Sequence, residues 1–121
     1  MKTKLSCILI VLLLITGCAF KNLIAQNSGF FLAQEEPKLA EEILIISQKV
    51  LDANIFTKST FQDWAGLVMN KLALDPFLQM NFKEMLKSVN INIKLAENQQ
   101  EIKELTYVTI QNFMVGIKAG R

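Results

Sequence analysis

Histidine is absent from the 121-residue chain, which removes imidazole bases, catalytic triads and nearly all common zinc sites in one step. Cysteine occurs twice, at Cys7 and Cys18, so a chain that loses its first residues on export keeps no pair for an internal disulfide and must fold by packing alone. The only arginine is the terminal Arg121, and lysines are scattered, which leaves no basic cluster for a nucleic-acid backbone. No Ser-x-x-Lys occurs, and the five glycines form no phosphate-cradling group. Prolines number two, at Pro37 and Pro76, and each stands where a helix would start. No enzyme motif, metal, cofactor or small-molecule substrate is implied.

What is present begins with an apolar run from Leu5 to Ile15, preceded by Lys2 and Lys4 and closed by Thr16 and Gly17. A positive segment, a short apolar segment and small residues form an export signal. The run makes a poor transmembrane helix, since crossing a bilayer takes roughly 20 apolar residues, and an uncleaved N-terminal anchor is kept as a further alternative to cleavage. Removing Lys2 and Lys4 from the 13 basic residues leaves 11 against 11 acidic ones, so the exported chain is close to neutral.

Leu14-Ile15-Thr16-Gly17-Cys18 resembles the lipobox of bacterial lipoprotein precursors, in which an apolar residue and two small ones precede an invariable cysteine. The resemblance covers residues 1–18 only. It implies a signal peptide over residues 1–17, cleavage between Gly17 and Cys18, diacylglyceryl transfer to the Cys18 thiol and acylation of the new amino group. Ala19 after the cysteine, where an inner-membrane protein commonly has aspartate, implies the periplasmic face of the outer membrane in a Gram-negative host. Gly17-Cys18-Ala19 also fits ordinary signal peptidase, which would cut before Phe20 and release a soluble helical protein.

Residues 18–36 read as a lipidated N-terminus and tether. They mix Asn22, Gln26, Asn27, Ser28 and Gly29 with Leu23, Ile24, Phe30, Phe31 and Leu32. Extended, about 16 residues reach on the order of 50 Å. Phe30 and Phe31 either fold back onto the domain or rest in the lipid interface.

Helical periodicity starts at Pro37. Leu39, Ile43, Ile46 and Val50 make one stripe, and the helix is expected to end at Ala53 or Asn54. Ser59-Thr60-Phe61-Gln62 reads as a capping box opening a second helix along Phe61, Trp64, Val68 and Leu72. Asp75-Pro76 opens a third, with Leu78, Phe82, Met85 and Val89 supported by Phe77 and Leu86. A fourth is expected from Asn92 to Ala119, stopped at Gly120. Its second half, from Tyr107 to Ile117, is apolar around most of its circumference, the mark of a helix buried on all sides. The chain is therefore expected to be all-α, a small four-helix bundle-like domain over residues 37–121.

Weighed singly, Trp64 fits a core anchor better than a sugar-stacking platform, and Met69, Met80, Met85 and Met114 fit core filling better than an adaptable groove. Glu97, Glu101 and Glu104 alternate with Lys94 and Lys103 on what reads as a solvated face. Four short helices cannot hide all this apolar surface, so the excess is expected to meet a protein partner or a second copy through Tyr107, Ile110, Met114 and Ile117. The reading that follows is a lipid-anchored, non-enzymatic interaction or scaffold module of the cell envelope, similar in fold to the helical pilotin lipoproteins. The alternative is an exclusion or immunity lipoprotein of phage or plasmid type.

Overall fold

The computed structural model describes the backbone of residues 19–95 and 98–121 and the side chains of 22–89 and 98–121. Among them the chain is all-α, with five helices and no strand: α1 (Ala19–Glu35), α2 (Pro37–Ala53), α3 (Lys58–Lys71), α4 (Pro76–Leu95) and α5 (Gln99–Gly120). The bundle has one helix more than the sequence suggests.

That extra helix is α1, where an irregular tether was expected. It occupies nearly all of residues 18–36, and its contacts with α5 are the reason this segment is helical. Five helices running up and down leave the first and last pointing the same way. Gln26 Nε2 donates to Asn112 Oδ1 at 2.6 Å and Gln34 Nε2 donates to the Gly120 carbonyl, two bonds with the same sequence offset, so α1 and α5 lie parallel and in register. Ala25, Gly29 and Ala33 recur every fourth residue on α1, facing Gly116 and Gly120 on α5. A Cβ built on Gly116 would lie 2.7 Å from the Gln26 carbonyl carbon, and one on Gly29 would lie 3.0 Å from the Ile117 nitrogen. Only glycine allows backbones this close, and the four-residue spacing keeps the small residues on one stripe.

The remaining helices follow local signals. Pro37 sits in the first turn of α2, and Asn54 ends it in the left-handed region at φ 57°. Asp75 caps α4, its Oδ1 accepting from the Leu78 N–H at 3.1 Å, directly before Pro76. Replacing Asp75 by Ala is expected to cost about 1 kcal/mol, measured by urea titration, with the helix content unchanged.

Two boundaries differ from expectation. The cap of α3 is Thr57, whose Oγ1 accepts from the Thr60 N–H at 3.1 Å, and Ser59 lies inside the helix. Nor is there one helix from Asn92 to Ala119. The chain continues α4 to Leu95 and restarts at Asn98, whose Oδ1 accepts from the Glu101 N–H at 3.0 Å. Asn98-Gln99-Gln100-Glu101 is itself a cap-x-x-Glu signal.

All five helices contribute to the core, α1 through Ala25, Leu32 and Ala33. Trp64, Phe82 and Phe113 come from three different helices and meet edge to face, their ring centroids 5.3 to 5.5 Å apart. Trp64 is fully buried and donates its indole N–H to Ser47 Oγ on α2 at 2.9 Å. Polar satisfaction and packing thus fix the same residue. The ion pairs Arg121–Glu41 (2.7 Å), Lys71–Glu42 (3.9 Å) and Lys87–Glu84 (3.3 Å) are solvent-facing and add little.

Candidate interaction surface

Apolar residues that remain exposed on a folded domain mark where something else can bind. Three of them come from one short stretch at the α3–α4 corner. Leu74 is 100% exposed, Phe77 66% and Met80 62%. Leu74 lies in the connection after α3, and Phe77 and Met80 follow three residues apart on α4, so successive side chains share a face.

The corner is held firmly. Asp75 caps α4 from below Phe77, and Gln79 Nε2 donates to the Met69 carbonyl on α3 at 3.2 Å, tying the two helices together across the turn. Phe77 rests edge-on against Phe31 of α1, centroids 5.5 Å apart. Phe77 is therefore a rim residue and not the core support that the sequence suggests. Met80 is likewise exposed, whereas Met85 and Met114 fill the core as expected and Met69 packs at its edge. The reason is angular: on α4 the stripe Leu78, Phe82, Met85 and Val89 takes the buried face, and Phe77 lies about 100° from it.

Beside the corner, α1 and α4 enclose a shallow groove of about 310 Å³ lined by Ile24, Asn27, Ser28, Asn81, Glu84, Met85 and Ser88. Ser28 Oγ donates to Asn81 Oδ1 at 2.9 Å across it. Glu84 is the one charged residue of the lining, so the groove offers amides and hydroxyls and no paired acid and base. Among the described residues no group of three or more Cys, Asp or Glu could hold a metal ion, and no helix is long and apolar enough to cross a membrane.

The residues expected to meet a partner fall elsewhere. Ile110, Met114 and Ile117 are buried, together with Phe113, under α1 and the core helices. Tyr107 alone of the four is partly exposed, with its ring edge-on to Phe56 at 5.4 Å. The apolar half of α5 is therefore not enclosed on all sides as expected: Ile110, Phe113, Met114 and Ile117 are covered from within the chain, α1 included, while Tyr107 and Val115 stay exposed. Gly17 and Cys18 lie outside the described residues, as does Glu97. Gln100 donates to Glu104 Oε1 at 3.0 Å on the exposed side of α5, the solvated arrangement the interleaved charges suggest.

Comparison with protein-family models, with curated proteins and with solved structures gives no match.

Proposed function

We propose that the chain is a lipid-anchored helical module of the cell envelope, held by Cys18 and engaging a partner protein without catalysis through the Leu74–Phe77–Met80 corner. The occupant assigned to that corner is an apolar helix face of another protein. The supporting observation is the placement of three large apolar side chains on a braced corner at the end of the bundle opposite the start of α1. α1 spans 17 residues, about 25 Å, between those ends. A chain anchored at Cys18 would hold the corner away from the membrane, where a partner can reach it.

Two experiments test this. A photo-crosslinking residue at position 77, in cells expressing the full chain, is expected to give a discrete adduct that disappears when Leu74→Glu is added. The same residue at position 103, exposed on α5, is expected to give none. Equal labelling at both positions, or none, contradicts the reading, and an adduct of twice the chain's mass would make the partner a second copy. Cys18→Ser is expected to leave the circular dichroism spectrum unchanged and move the protein out of the membrane fraction. Acyl burial contributes about 0.8 kcal/mol per CH₂, and without the chains nothing comparable holds the protein.

A further inference from the structure

We infer that the end of the bundle at which α1 begins rests directly on the bilayer, with Ile55 in the lipid interface; the inference builds on the proposed anchoring at Cys18. An acylated cysteine lies at the membrane surface, and consecutive Cα atoms are about 3.8 Å apart, so a helix starting at Ala19 has no spacer. Nor is that helix free to swing. Gly29, Gly116 and Gly120 bring its backbone against α5, and Gln26–Asn112 and Gln34–Gly120 pin it at both ends of the contact. The anchor is attached to the body of the domain.

The same contacts say what else lies at that end. Gln26 pairs with Asn112, so in parallel helices residue 21 is level with Tyr107. The Tyr107 ring meets Phe56, which places the α2–α3 loop at that level too. Asn54, left-handed at φ 57°, turns the chain out of α2. Phe56 then points inward at 7% exposure and Ile55 outward at 63%. A large aliphatic side chain is thus displayed on a short loop beside the anchor.

α5 begins further out still, Gln99 lying about 12 Å along the axis beyond Tyr107. The bundle therefore leans, with the exposed Asn98, Gln99 and Gln100 at the start of α5 among the headgroups and the α2–α3 loop beside them. Among the described residues the exposed charges at this end are of both signs, with Lys58 and Lys103 against Asp52, Glu101 and Glu104. Such a surface gains nothing from anionic lipid, and the anchor with Ile55 must supply the contact.

Residues 19–121 contain no cysteine, so a single one can be placed at will. The test uses the lipidated chain on phosphatidylethanolamine vesicles, with an environment-sensitive dye on Ile55→Cys or on Leu74→Cys and a quencher carried by the lipid near the headgroup. Quenching at 55 is expected to exceed that at 74 by about three-fold or more. It is expected not to change when phosphatidylglycerol is added, and to fall when a flexible Gly/Ser spacer of about twelve residues separates Cys18 from Ala19. Equal quenching at 55 and 74 on protein that floats with the vesicles overturns the orientation and leaves the anchoring intact. Protein that does not float overturns the anchoring itself, and the orientation with it.

Discussion

Gly116→Leu is expected to release α1 from the domain, and Gly116→Ala to go part of the way. The two helices touch backbone to backbone at this point, and even one added carbon lies 2.7 Å from the Gln26 carbonyl carbon and 2.9 Å from its Cα. A flexible side-chain tip can move aside, whereas a helix backbone can yield only by shifting the whole of α1. In an open helical position, Gly→Ala gains about 0.5–1 kcal/mol from propensity alone. Gly66, with nothing near its missing side chain and an exposed site on α3, supplies that case within the same molecule. Opposite signs are therefore expected for one chemical change: Gly66→Ala stabilising by about 0.5–1 kcal/mol, Gly116→Ala destabilising by about 2–3 kcal/mol, and Gly116→Leu by more than about 4 kcal/mol. Urea titration gives the magnitudes. Hydrogen exchange over residues 19–35 gives the mechanism, since loss of protection there ahead of α3 and α4 identifies α1 as the part set free.

Trp64→Ala is expected to unfold most of the protein at room temperature. The indole is completely buried, with Phe61, Phe82 and Phe113 around it at centroid distances of 5.5 to 5.8 Å. Truncating such a residue costs about 3–5 kcal/mol in transfer and cavity terms. The Ser47 hydroxyl, also buried, would lose its donor, which adds about 1 kcal/mol or more. Against a total stability of about 5–15 kcal/mol, and a domain of this size near the lower end, little remains. Separate variants divide the sum. Trp64→Phe keeps an aromatic ring and removes the donor. Ser47→Ala keeps the ring and leaves the indole N–H unpaired, at about 1–3 kcal/mol. The double variant is expected to cost less than the two singles together, because either one already breaks the shared bond. Strict additivity, followed by circular dichroism, would show that the bond contributes nothing.

The features legible in the sequence are those set by neighbours along the chain. Asp75-Pro76 and the end of α2 at Ala53 are local events, a cap and a left-handed turn, and both stand where the residues place them. Asn98 obeys the same chemistry yet was hidden, because a run of amides and glutamates reads equally well as one solvated helical face. α1 was not legible by periodicity. Its polar and apolar residues are spread around the helix, and Gly29 in its middle suggests a break. Its stability comes from α5, more than eighty residues away, and the only trace in the sequence is a matched pair of four-residue spacings, Ala25-Gly29-Ala33 and Gly116-Gly120. The misplaced interaction surface follows from that one omission. With residues 18–36 read as a tether, Ile110, Met114 and Ile117 have no cover within the chain and point to an external partner. With α1 in place they are core, and among the described residues the most exposed large apolar side chains are Leu74, Phe77, Ile55 and Met80, three of which share the α3–α4 corner.

The most direct test of the anchored module is intact mass spectrometry of the N-terminal peptide from the membrane fraction of cells expressing the full chain. The expected result is a mature chain beginning at Cys18 and carrying a diacylglyceryl group, which puts the lipid immediately before α1. An unmodified chain beginning at Phe20 would contradict the reading. It would leave a soluble five-helix protein whose α1 lacks only its first residue, and the membrane-resting end and the outward-facing corner would both have to be abandoned.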